Sequence, residues 1–404
     1  MTDTDGRLLL VLPDLGRGGM QIQLIELARA SAHEGRRAVV MAPDGPLGDD
    51  VRAVADHERV DWERPRLETA RRARELMGAG GVAVMQADPA LIHLVPSLAA
   101  TGRLHLGLHN RPDSFEDWFN PAVLARFRAL LPALVASRRV TFTASNSAFA
   151  AEHARRLGLP PELVTGWFPG VDPPRGHDEL SSGPVRRVAV VARLSREKLP
   201  IVAAGAELVA AGLAAGADVR LELHGGGPDE AEARALLARA LPPDRFALHG
   251  PTDAPFELIA GADVTVNGGR AAIEALVTGR RVVVPRLAAG PGGSLGPPVL
   301  PASFAALKER NFTWQDDAWE GGAAWEALSA MPAEDVAAVR DRARRELSTR
   351  ALLEGHLAAI ARTDPGHDGA SALIDAVADL ALDLEDARAE AQAVADALWA
   401  ARGD

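Results

Sequence analysis

Two cations, Arg193 and Lys198, follow the apolar run 188–192, so both fall where a strand ends and a helix begins. Positive groups at such an edge can neutralise a departing diphosphate, the stabilisation that phosphate-ester cleavage requires. A solvated charged loop is the other reading. Lys198 stands out because 44 cationic residues include only two lysines, Lys198 and Lys308. Downstream, His224-Gly225-Gly226-Gly227-Pro228 closes another apolar run, and its glycines would let the backbone approach a ligand. Next, Val264-Thr265-Val266-Asn267-Gly268-Gly269-Arg270 reads as a strand and a glycine turn opening a helix that carries Glu274 among Ala, Ile and Leu. A carboxylate in that company needs partners, either the vicinal hydroxyls of a ribose or an internal cap or salt bridge.

Nearer the start, Gly16-Arg17-Gly18-Gly19-Met20-Gln21 is a turn from strand to helix whose free amides suit an anion or an oxygen-rich group; a plain tight turn is the alternative. It is a broken dinucleotide fingerprint. Gln21 stands where a third glycine belongs, and no acid closes the second strand, which disfavours NAD and a dehydrogenase. His109 ends the strand 104–109, at the carboxyl edge where open α/β folds bind ligands. His105 lies about 13 Å away on the same strand, too far to share a metal ion, and is read as structural. The stretch 111–119 mixes acids with rings, including Asp113 and Trp118, and could form an acceptor platform or a core staple.

Positioning these residues takes two sheets. Strands are expected over 7–12, 37–41, 82–86, 104–109 and 140–144, with amphipathic stretches between them: the βαβ signature of a doubly wound parallel sheet. A second series follows, with strands over 185–192, 219–224, 246–249, 264–266 and 281–285. The Pro-, Gly- and Ser-rich stretch between them suits a surface linker. The expected domains are 1–172, a linker 173–184, 185–332, and C-terminal helices 333–404. The last helix, over 370–401, has an apolar face that could cover a domain or a second copy of the chain.

The 404 residues, 47% hydrophobic and 25% charged, suit a globular chain of two or three compact units. No apolar run is long enough for a membrane span, and the start is acidic, unlike a signal peptide. With no cysteine, disulfides and thiolate chemistry are excluded, and a cytoplasmic location is the simplest expectation. A net charge of −11 with interspersed signs lacks the basic stripe that nucleic acid needs.

The order and spacing of these features resemble the GT-B glycosyltransferases of family 4 over roughly residues 7 to 315. The residues are the Gly18-Gly19 turn, His109, Arg193 with Lys198, the 225–228 run, Asp263 in Gly-Ala-Asp-Val, and Glu274 before Thr-Gly-Arg-Arg-Val-Val-Val. The resemblance implies an α/β fold of two Rossmann-like domains facing across a cleft, and retaining, metal-independent sugar transfer from a nucleotide diphosphate sugar, with UDP the expected carrier, to a small or lipid-linked hydroxyl acceptor. It assigns Arg193 and Lys198 to the diphosphate and Glu274 to the ribose, and puts His109 with Gly18 and Gly19 near the transferred sugar. No cofactor, metal or nucleic acid is implied; peripheral membrane association and a homo-oligomer through the last helix remain open. The acidic pair Asp3 and Asp5 lies in a tail, not after a strand. Two departures stand out. Val266 occupies the place of the family's first glutamate, which leaves two alternatives, a sugar contact from backbone amides around Asn267, Gly268, Gly269 and Arg270 or an unusual donor sugar, and keeps the sugar's identity open. Phe168-Pro169-Gly170-Val171-Asp172 also lacks the family's asparagine. A sugar-nucleotide epimerase or hydrolase, and a partner subunit that lost its site, are the alternatives.

Overall fold

The computed structural model describes residues 7–361 apart from 17, 64, 109–114, 116–118, 174, 175, 178, 253 and 288–293. The expected helix over 370–401 lies outside the described residues. The chain forms two compact units, one running to Trp167 and resumed at Leu353, the other Phe168–Leu352.

The first unit holds strands β1 (Leu8–Val11), β2 (Ala38–Ala42), β3 (Ala55–Arg59), β4 (Val82–Gln86), β5 (Arg103–Leu108), β6 (Val140–Ala144) and β7 (Val164–Gly166). Their order is β3-β2-β1-β4-β5-β6-β7, and every pairing is parallel. Sequences such as Leu-Leu-Leu-Val and Ala-Val-Val-Met-Ala suit strands buried on both faces. Helices 66–77 and 121–136 cover the sheet with Ala73, Leu76, Leu130 and Leu134. Asn120 starts the second of these by accepting from Ala122 N at 2.9 Å. The charged edge strand β3 and the three-residue β7 were not expected from the sequence.

The second unit holds β8 (Arg187–Val191), β9 (Arg220–His224), β10 (Phe246–Leu248), β11 (Val264–Val266), β12 (Arg281–Pro285) and β13 (Leu295–Pro298), in the order β10-β9-β8-β11-β12-β13. Only β13, also unforeseen, runs antiparallel to its neighbour. The chain winds outward from β8 to β10 and then returns to the other side of β8, so the carboxyl ends of β8 and β11 flank the switch point of this sheet.

The stretch expected as a surface linker is partly fastened down. Buried Arg281 donates to the carbonyl oxygens of Ser181, Leu328 and Gly183, and Arg280 donates to that of Glu179. Ser181 N and Oγ bond Gly279 O and Asp263 O. Asp263, on the opposite edge from the switch point, accepts from Arg186 N and Arg187 N at 2.8 Å and so aligns the start of β8. Helix Ala333–Glu346 packs Val339 and Ala343 with Ile273 and Leu276 of helix Gly269–Val277, within the second unit. Among the described residues, no helix is long and apolar enough to cross a membrane.

Candidate functional site

The loops after β8, β9 and β11 gather at one edge of the second sheet. Leu194 N donates to Gly226 O at 3.0 Å, which ties the first loop to the second. Buried Asn267 bridges β8 and β11 where they diverge: its amide donates to Val191 O and Val266 O at 3.1 Å and accepts from Val191 N at 3.2 Å. The side chain of Asn267 is therefore spent on the sheet.

Arg193 is exposed and Lys198 half-buried, and neither head group makes a hydrogen bond or ion pair with another described residue. Lys198 is the N-cap of helix Leu199–Ala214, where the helix dipole already presents positive potential. Between the two cations, Glu197 accepts from Ser195 Oγ at 2.5 Å. That hydrogen bond, then one from the residue's own backbone amide, and after them the charges of Lys198 and Arg193, hold the Glu197 carboxyl below its usual range against the effect of burial.

The glycines of the 225–228 run have a structural explanation. Gly225 has φ +150°, and a Cβ there would stand 1.8 Å from Ala192 O. A Cβ on Gly227 would stand 2.2 Å from Leu194 O. Their bareness thus lets two segments of this chain's own backbone meet. Gly268 caps helix Gly269–Val277, and Gly269 has φ +58° with its N–H bonded to Asn311 O at 2.9 Å. Asn311 and Phe312 also adopt positive φ. Two buried polar atoms by this turn, Arg270 Nη1 and Asn311 Oδ1, have no hydrogen-bond partner among the described residues.

Glu274, 5% exposed, does find a partner inside the protein: Arg270 Nε, one helical turn earlier, lies 2.9 Å from its Oε1. Burial pushes the Glu274 carboxyl above its usual range, and the Arg270 charge and hydrogen bond pull it back. The internal salt bridge is the arrangement present. The spacing of four residues could have revealed it in the sequence.

In the first unit, Gly18 caps helix Gly19–His33 beyond the loop that follows β1, without a side-chain cap. Asp14 Oδ1 accepts from Gly16 N at 2.6 Å and from Gln21 Nε2 at 3.0 Å, so Gln21 braces the turn where a dinucleotide motif would have glycine. Space beside Gly19 is open. His105 is buried in the sheet with Nδ1 2.6 Å from Thr141 Oγ1, a structural role. His109, Asp113 and Trp118 lie outside the described residues. Phe115 and Phe119 belong to the core, packed with Phe127 and His153, so these two rings act as a core staple.

No protein-family model and no curated protein matches this chain. Among solved structures it is similar to Anabaena HepE in complex with UDP and glucose, with a TM-score of 0.62 at 14% identity, covering 88% of this chain and 99% of that one. A glycosyltransferase from Rickettsia africae gives 0.61 at 14% identity, over 88% and 98%. AviGT4, a glycosyltransferase involved in avilamycin A biosynthesis, gives 0.56 at 15%, over 88% and 98%. At such identities the likeness is one of fold, and the fold is that of the GT-B glycosyltransferases.

Proposed function

We propose that the chain is a glycosyltransferase that moves a sugar from a uridine diphosphate sugar to a hydroxyl acceptor, with retention of anomeric configuration and no metal in the reaction. One observation carries this reading: Arg193 and Lys198, whose head groups make no hydrogen bond or ion pair with another described residue, follow β8 at the switch point of the second sheet, next to the strand β11 that leads into the Gly268–Gly269 turn. A lysine at a helix N-cap opposes the helix dipole, and a bound diphosphate would satisfy both. The fold adds support, since HepE has been crystallised with UDP-glucose.

In the reaction, the bond from the anomeric carbon to the diphosphate oxygen breaks and its electron pair leaves with the diphosphate. The acceptor oxygen bonds the same carbon, and its proton passes to the diphosphate. No covalent nucleophile is needed: Arg193 and Lys198 stabilise the departing charge, and the glycine turn orients the donor. Glu274 accepts from the ribose hydroxyls as well as from Arg270 Nε. His109, Gly18 and Gly19 are assigned to the transferred sugar, and Asp113 and Trp118 to the acceptor.

The Arg270–Glu274 pair favours a second reading, a partner subunit that kept the fold and lost the site, because the acid already has a partner. Calorimetry with UDP separates the two. Saturable binding, followed by consumption of UDP-glucose or another UDP-sugar with an acceptor panel, is expected of the enzyme. Absence of UDP binding overturns it in favour of the partner subunit. Release of UDP at an undiminished rate without any acceptor would instead identify a hydrolase.

A further inference from the structure

We propose that Glu222, His224 and His249 form a binding site for a divalent d-block cation, zinc by the chemistry of its donors, on one face of β9 and β10. One ligand atom from each of the three lies within 4.8 Å of the others. The arrangement follows from strand geometry. Glu222 and His224 are two apart on β9 and so share a face. The register pairs Leu248 with Leu223, and His249 N donates to Leu223 O at 2.9 Å, which brings His249 beside His224. Their rings stack with centroids 4.4 Å apart and planes 14° from parallel. Glu222 stands across from Ala247 on β10 and Ala189 on β8, small neighbours that leave its carboxylate room.

Tetrahedral zinc, with bonds of about 2.0–2.2 Å, needs its ligand atoms about 3.3 Å apart, so modest side-chain rotations close the triad on an ion. Glu222 Oε2 already meets His249 Nε2, and Arg220 Nε lies 2.7 Å from Oε1, steadying the carboxylate from its other side. Two imidazoles and one carboxylate suit zinc, cobalt or nickel and do not suit magnesium or calcium. His249 is exposed, leaving the fourth position open to water. The ion would clamp β9 to the segment after β10 just where Gly225 N meets Gly250 O. The inference rests on this triad alone and stands apart from sugar transfer.

The test is equilibrium dialysis of the whole chain against zinc chloride with metal analysis, repeated with cobalt so that its visible d–d spectrum reports the ligand geometry. One zinc per chain is expected, unaffected by excess magnesium. His249→Gln and Glu222→Gln, which preserve size, should each weaken binding tenfold or more while circular dichroism stays unchanged. His57→Gln, a histidine outside the triad, should leave it intact. Failure to bind one equivalent, or equal binding by His249→Gln and the unmodified chain, overturns the proposal.

Discussion

Lys198→Ala should separate ligand binding from folding. The Lys198 head group has no hydrogen-bond or ion-pair partner among the described residues, so its loss breaks no hydrogen bond, removes only a longer-range attraction to Glu197, and should shift stability by no more than about 0.5 kcal/mol. A charge-assisted hydrogen bond to a diphosphate contributes about 1.5–3 kcal/mol, and UDP should therefore bind roughly 10- to 150-fold more weakly. Lys308, the only other lysine, supplies the opposite case. Its Nζ lies 2.5 Å from Glu346 Oε2 and 5.5 Å from the centroid of the Phe168 ring. Because both ends of that ion pair are partly exposed, Lys308→Ala should cost only about 1 kcal/mol of stability, with UDP affinity unchanged. Calorimetry with UDP and urea denaturation measure the two quantities. Isotopic methylation of both lysines offers a direct readout, because UDP should move the Lys198 signal and spare that of Lys308. If Lys198→Ala binds UDP as tightly as the unmodified chain, the phosphate assignment fails.

Arg270→Ala should leave Glu274 buried without its partner, at a cost of about 3–5 kcal/mol near neutral pH. Burial already raises the Glu274 carboxyl, so the penalty should recede as pH falls through its folded value and the acid takes up a proton; urea midpoints that show an equal deficit in acid would refute this. Gly225→Ala should cost more than about 1 kcal/mol, since its Cβ would meet Ala192 O. Gly19→Ala, in open space, should leave the urea midpoint nearly unchanged, so a loss of UDP-sugar affinity in that variant marks the turn as a ligand contact. His93 is held down to about 4 by burial and then by the Arg66 charge, against an ordinary value of 6.5. Its contribution to stability is complete above pH 6.5 and fades as pH falls toward 4, a loss of about 2 kcal/mol between pH 7 and pH 5 that His93→Gln should abolish in urea titrations.

The apolar strands were legible because parallel strands buried on both faces carry unbroken hydrophobic runs: 82–86, 140–144, 264–266 and 281–285 were expected with their observed bounds. The missed strands are edges. Ala55–Arg59 is mostly charged, with Asp56 paired to Arg37 and Glu58 to Arg72; β7 has three residues; β13 contains two prolines. Residues that follow strand ends, such as Arg193, Lys198 and Gly268, could be found because switch points lie at carboxyl edges. What those neighbourhoods contain could not. Asn267 turned inward to join two strands, and the glycines after β9 serve a crossing of backbone, contacts that exist only once nonadjacent strands are placed together. The same reason hid the triad at Glu222, because His249 enters through the register of β10 on β9.

The inward turn of Asn267 also bears on how the molecule ages. An asparagine followed by glycine is prone to deamidation, because the next backbone nitrogen can attack the side-chain carbonyl without steric hindrance. Here both faces of that amide are held by Val191 and Val266, so succinimide closure would first have to prise the strands apart. Once the chain opens, that protection vanishes, and an aspartate formed there would return facing two carbonyl oxygens with nothing to donate. Shelf life is thereby tied to how often the second sheet unfolds, and a heat-stressed sample should accumulate a fraction that is chemically barred from refolding.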